Sequence, residues 1–427
     1  MNVKQAIHMI EQGALNARLC ALYGEDALER VRARYVAAIT AFAERFGSSR
    51  DIALFSVPGR TELSGNHTDH NRGRVIAAAV DADVIAVASP TANRTVRLHS
   101  EGFPADEVAL DAYLLPDATR FGCSDALIAG VADGFRTRGW QIGGFDAYTT
   151  SNVPKGSGLS SSAAFENTVG AVLNHFYNNG KVPPAELAVI SQYAENRFFG
   201  KPCGLMDQAA SAVGGVVTMD FADPTAPLIR SIPFDLAAGG FALCIVNTGG
   251  NHADLTPDYA AVPAEMHAVA KALGANVLRE VEENAFHAAL PRLREELGDR
   301  AVLRALHFFA ENRRVDAQCE ALSRGDLATF LGLVTASGRS SFCYLQNVYS
   351  PMHPTEQGLS LALALAEDIL APIGGACRVH GGGFAGTIQA FLPIQHLPDF
   401  CARMNAVFGA SAATPLRLRA EGAVRLA

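Results

Sequence analysis

Two periodicities alternate along this chain. Some segments repeat apolar residues three and four positions apart, and others are short runs of Val, Ile and Ala bounded by Gly, Pro or Asp. The first kind predicts helices. Val31, Tyr35, Ile39 and Phe42 share one face of a helix over 27–46, and Phe165, Val169, Val172, Leu173 and Phe176 share one face of another over 163–177. The same spacing predicts helices over 126–136, 184–198, 260–273, 303–323, 327–342 and 357–368. The second kind predicts strands over 52–57, 75–87, 95–99, 144–150, 242–247 and 387–392. The stretch 105–121 fits neither period. Asp-Pro and Ala-Pro steps between Phe221 and Pro233 read as a linker. A mostly helical segment and a final strand close the chain. The mixture is α+β, with an N-terminal domain over 1–225 and a C-terminal domain over 226–427.

Composition narrows the classes of function. At 427 residues the chain exceeds what one compact core usually covers. Hydrophobic residues at 49% and charged residues at 18% exclude a disordered chain. Lys and Arg number 35 against 43 Asp and Glu, a net charge of −8 with no basic run, which argues against a nucleic-acid partner. No apolar stretch is long enough to cross a bilayer, and Met1–Arg30 has no signal-peptide core. The eight cysteines are scattered without a CxxC pair, as expected of reduced thiols in the cytoplasm. The chain is expected to be cytoplasmic and to act on small molecules, as a monomer, with an oligomer left open.

Four segments carry candidate chemistry. In Pro154-Lys155-Gly156-Ser157-Gly158-Leu159-Ser160-Ser161-Ser162-Ala163-Ala164 a glycine-rich turn runs through a serine run into a helix. Glycines admit a ligand to the backbone, and the first helical amides carry the positive end of the helix dipole, which suits phosphate. By itself it reads equally as a turn capping a helix, and it lacks the GxxxxGK[ST] pattern. The second segment, Pro58 to Gly73, packs donors, acceptors and glycines between two strands, which suits a sugar or an ordinary polar turn. A metal site from His67, Asp69 and His70 is discounted, because their spacing does not place ligands on one helix face. The third runs from Ala194-Glu195-Asn196 to Met206-Asp207-Gln208, with Asp207 opening a helix. The fourth is the glycine cluster Gly381 to Gly386.

In conjunction these segments resemble the GHMP sugar and metabolite kinases, most closely the galactokinases. That family carries signatures near GRxNxxGEHxDY, PxGxGLSSSA, AExxxxGxxCGxMDQ and TGGGFGG. This chain reads GRTELSGNHTDH, PKGSGLSSSA, AENRFFGKPCGLMDQ and VHGGGFAGT. The resemblance implies a two-domain GHMP-kinase fold: a ribosomal S5 domain 2-like N-terminal domain, a ferredoxin-like C-terminal domain and a site in the cleft between them. It implies ATP and Mg2+. ATP phosphates would lie on Gly156, Ser157, Gly158, Leu159, Ser160, Ser161 and Ser162, with Ser162 and Glu195 holding magnesium. Asp207 would act as general base beside Arg60. Asn66, His67, Thr68, Asp69 and Tyr259 would meet the sugar, and the implied reaction is phosphorylation of galactose at its anomeric hydroxyl. Three positions depart from the signature: Glu62 replaces Asn, Asn66 replaces Glu, and His70 replaces Tyr. A neutral amide at 66 removes a charged acceptor, so a related sugar is the alternative substrate. A non-catalytic sugar sensor ranks last, since Ser162-Ala163-Ala164, Arg60, Glu195 and Asp207 are all present.

Overall fold

The computed structural model describes residues 1–112, 115–154, 158–224, 226–250 and 255–427. Its strands are β1 (Ala53–Ser64), β2 (Arg74–Pro90), β3 (Thr95–Ser100), β4 (Ala105–Ala109), β5 (Phe145–Ser151), β6 (Val216–Asp220), β7 (Leu228–Ile232), β8 (Phe241–Asn247), β9 (Ala376–His380), β10 (Thr387–Pro393), β11 (Ala413–Leu416) and β12 (Val424–Arg425). The helices are α1 (Val3–Glu11), α2 (Asn16–Tyr23), α3 (Leu28–Phe46), α4 (Ser124–Thr137), α5 (Ser161–Asn178), α6 (Pro184–Arg197), α7 (Met206–Val213), α8 (Thr256–Ala272), α9 (Glu283–Ala288), α10 (Leu290–Leu297), α11 (Asp299–Ser323), α12 (Leu327–Ser340), α13 (Gly358–Leu370) and α14 (Leu397–Phe408). The first sheet runs β12-β1-β2-β5-β3-β4, with β6 on β2 and β7 on β6; the second runs β11-β8-β10-β9 and is antiparallel throughout.

The long strand β2 shows why both faces of the first sheet are covered. Side chains alternate across a strand, and each set finds its own core. Ala77, Ala86 and Ala88 pack with α4 to α7. Ile85 and Val87 pack under α1 to α3, and Ile76, Ala78 and Val80 pack against the second sheet and α12. In the second sheet, Cys244, Val246, Ile388 and Ala390 face α13 and α14.

Three features depart from the local reading. The strand expected to stop at Val57 continues to Ser64, because register shifts at Pro58/Arg60 and Glu62/Ser64 absorb a proline and re-aim Arg60. The segment expected to be a linker contains β7, which pairs with β6. The C-terminal tail returns to the first sheet: Leu418 bridges to Val80, and β12 pairs with Phe55 and Ser56 of β1. The 226–427 segment therefore contributes β7 and β12 to the first sheet.

The seam between the two sheets carries buried polar groups. Glu311 on α11 is buried, and its carboxylate accepts from Ser337 Oγ at 2.6 Å, from Gly65 N at 3.2 Å and from Arg314 Nε at 2.7 Å. Burial alone would raise its pKa; Arg314, His307 and Arg378 overcome that and bring it down to about 2. A depressed carboxylate stabilises the fold above its unfolded pKa and ceases to do so as pH falls through its folded value. Urea midpoints of the wild type should fall between about pH 4.3 and pH 2, whereas Glu311→Gln should be weaker at pH 7 and flatter across that window. Equal pH slopes for the two proteins would remove Glu311 as the source.

Candidate active site

Arg60 leaves β1 just after the first bulge and lies almost wholly buried. Its Nε and Nη2 reach Asp207 Oδ1 at 2.7 and 2.6 Å, and its Nη1 donates to the carbonyl of Gly158. Asp207 stands in the first turn of α7, and its other oxygen accepts from Ser160 Oγ at 2.6 Å. Burial works to raise the Asp207 carboxyl, but the Arg60 guanidinium and the Ser160 hydroxyl outweigh it and hold the group below the ordinary carboxylate range. Ser160 is left-handed at φ 57°, as are His67 and Phe384 in the neighbouring loops, so strained backbone gathers at this site.

Ser160 is also the N-cap of α5, with its hydroxyl turned to Asp207 rather than to its own helix. Two residues on, Ser162 Oγ donates to Glu195 Oε1 at 3.1 Å, and Lys201 Nζ lies 3.1 Å from the same oxygen. Gln208 Nε2 donates to Glu195 Oε2 at 2.7 Å and to Glu166 Oε2 at 3.1 Å. Burial, then the charge of Glu195, raises the Glu166 carboxyl well above its usual value. Among the described residues no group of three or more His, Cys, Asp or Glu is arranged to hold a metal ion, including the HxDH run. Ser162 and Glu195 nonetheless form a pair of hard oxygen donors at a helix N-terminus, which suits a magnesium ion that keeps phosphate and water as its other ligands. A cavity of about 520 Å³ opens beside Ser161, Ser162 and Phe165, walled by Leu127, Val153 and Phe103.

The loop after β1 supplies the other wall. Asp69 lies close enough to Asp207 for the two charges to interact; burial lifts its carboxyl above the usual value, with His67 and nearby backbone amides opposing. His67 Nε2 donates to Gly382 O at 2.8 Å and Tyr259 Oη to Gly383 O at 2.8 Å, tying this side to the glycine cluster. Thr68 is buried, with its hydroxyl 2.9 Å from Gly65 O and 2.7 Å from Arg74 O, and so braces the loop from within. Asn66 is 1% exposed and engaged on every side by protein groups. Gly204 closes the floor: a Cβ there would lie 2.5 Å from Asp69 Oδ2. Gly204→Ala should therefore displace the Asp69 carboxylate and, on the sugar contact that the resemblance implies for Asp69, raise the sugar KM about tenfold with little change in melting temperature, since a short side chain can yield where backbone cannot. An unchanged KM would place the acceptor elsewhere.

The structure thus gathers Arg60, Asp207, Ser160, Ser162, Glu195, His67 and Asp69 around one cleft, with Leu159 buried beneath it. Gly156 and Ser157 lie outside the described residues. Sequence reading quoted His380, Lys201 and Gln208 within motifs but gave them no role, and it did not reach Arg378. His380 is buried between Thr61 Oγ1 at 3.1 Å and Thr387 Oγ1 at 3.0 Å, and burial, with Arg60 and Arg378 nearby, keeps it neutral. Its place directly before the glycine cluster was the available signal. Arg378 had none, because its partner is 316 residues away.

Comparison with known proteins identifies the family. The pattern described as GHMP kinases N terminal domain matches residues 126–215, and the galactokinase galactose-binding signature matches residues 40–90. A galactokinase of Streptomyces coelicolor is 35% identical over 350 residues, covering 81% of this chain and 86% of its own. The structure of Lactococcus lactis galactokinase complexed with galactose superposes with a TM-score of 0.76 at 26% identity, covering 90% of this chain and 98% of its own. Mevalonate kinase of Methanococcus jannaschii shares the fold, with a TM-score of 0.61 at 15% identity over 87% of this chain and 98% of its own.

Proposed function

The chain belongs to the galactokinases within the GHMP kinases, and from that premise we propose that it transfers the terminal phosphoryl group of ATP to the anomeric hydroxyl of galactose, giving galactose 1-phosphate and ADP. The observation that carries the reading is the Arg60–Asp207–Ser160 cluster, set where the sugar-signature loop meets the N-terminus of α5. Phosphoryl transfer needs positioning and charge neutralisation more than covalent chemistry. Asp207, held ionised, accepts the proton of the attacking hydroxyl. Arg60 keeps that carboxylate charged and offsets charge developing on the transferred group. The amides opening α5 and the 158–162 loop hold phosphate oxygens. Ser162 and Glu195 would hold magnesium, which supplies neutralisation of phosphate charge when bound.

The nucleoside fits the 520 Å³ cavity beside Ser162 and Phe165. Asp69 and His67 are assigned to sugar hydroxyls, and Tyr259 to the sugar side of the glycine cluster. The two lobes divide near 225, with β7 and β12 as the exceptions described above. No helix among the described residues is long and apolar enough to cross a membrane. All eight cysteines are free thiols, the state that a reducing cytoplasm maintains.

The test is ADP release with ATP and magnesium over galactose, N-acetylgalactosamine, glucose, arabinose and galacturonate. Turnover on galactose at least tenfold above every other sugar is expected. Preference for another sugar would transfer the same chemistry to that acceptor, and silence on all of them would overturn the kinase reading.

A further inference from the structure

The glycine cluster is held by three successive carbonyls. Gly381 O accepts from Asn66 Nδ2 at 2.6 Å, Gly382 O from His67 Nε2 at 2.8 Å and Asn347 Nδ2 at 3.1 Å, and Gly383 O from Tyr259 Oη at 2.8 Å. Asn66 stands at the centre of this arrangement. Its amide also lies 3.1 Å from Glu62 Oε1, and its Oδ1 accepts from Asn347 Nδ2 at 2.8 Å. Its backbone carbonyl accepts from His307 Nε2 at 2.9 Å. Glu62 in turn is paired with Arg378 Nη2 at 2.8 Å, and Arg378 Nη1 donates to Leu63 O at 2.9 Å. Arg378 lies on β9 of the second sheet and Glu62 on β1 of the first, and both are buried.

We propose that Asn66 is a positioning residue and not a sugar ligand: with Glu62 and Arg378 it forms a buried clasp that seats the glycine cluster of the second lobe on the sugar loop of the first. An amide is the one side chain that meets this site from both directions, donating to Gly381 O and Glu62 while accepting from Asn347. A carboxylate at 66 would face Glu62 and a carbonyl with no donor of its own. The same geometry joins two of the signature departures into one. The chain places its carboxylate at 62 and its amide at 66, the reverse of the GRxNxxGE order, and the two groups are hydrogen-bonded to each other. The charge has moved to the position that Arg378 neutralises.

The inference rests on the kinase reading for its kinetic readout alone; thermal unfolding tests it without turnover. Asn66→Glu and Glu62→Asn are measured singly and together in the full chain. Each single variant should lower the melting temperature and cut kcat about tenfold or more, and the pair should recover most of both losses, because residues in contact are coupled and not additive. Losses that simply add would overturn the exchange. If Asn66→Glu does not fold, Asn347→Ala replaces it and removes only a donor to Asn66 and Gly382. Because the resemblance implies that the Gly381–Gly386 cluster approaches the ATP phosphates, that variant should lower kcat and raise the ATP KM while leaving the preference for galactose over N-acetylgalactosamine unchanged. A change in sugar preference, with the ATP KM intact, would return Asn66 to the sugar pocket and overturn the clasp.

Discussion

Asp207→Asn is expected to cut kcat by about 10²–10⁴-fold while ATP still binds, the range that a positioned proton acceptor contributes. The carboxylate is the one ionised group that Arg60 and Ser160 jointly hold at the meeting point of the two loops. Asparagine keeps the size and the bond from Ser160 but cannot take a proton. Single-turnover phosphorylation beside a nucleotide titration measures both halves of the expectation. The pH profile adds a second readout. Because the Asp207 carboxyl is held below its ordinary value, the acid limb of wild-type kcat/KM should lie below about pH 4, the usual carboxylate range. Turnover within threefold of wild type in the Asn variant would remove Asp207 from the chemistry and leave it an orienting group.

The second largest effect is expected from Arg60→Ala, about 10²–10³-fold in kcat, the range found when one preorganised electrostatic donor is removed. Two losses combine. Asp207 keeps the burial that raises its pKa and loses the charge that lowers it, so the acid limb should move upward. Gly158 loses the donor to its carbonyl, which loosens the loop beside Ser160. Arg60→Lys should recover only part of the rate, because one ammonium cannot reach Asp207 from two nitrogens and Gly158 from a third. An Arg60→Ala profile whose acid limb stays where the wild type has it would show that Arg60 acts on the phosphoryl group alone.

Much of this protein was legible in local pattern. The apolar spacing that predicts helices over 27–46, 163–177 and 303–323 corresponds to α3, α5 and α11, because one buried face per helix is a property of neighbours three and four apart. The glycine-serine turn and the Asp207 helix start could likewise be read from adjacent residues. The places where pattern misled are those where a distant segment decides. Pro58 signals the end of a strand until β2 is seen to pair past it through a bulge. Residues 228–232 look like linker because the run is short, largely exposed and flanked by the Asp-Pro and Ala-Pro steps, and only pairing with β6 makes it a strand. At Asn66 and Thr68 local pattern shows only a polar run, whereas the fold supplies Gly381, Asn347 and Arg74 as their hydrogen-bond partners. Sequence alone determined which residue types were available, the helical and strand faces, and the family chemistry they match. Tertiary structure decided which of those polar groups remain free for a ligand, because a buried donor must be satisfied by whatever packs against it, and here that partner comes from the turn between β9 and β10 of the second sheet.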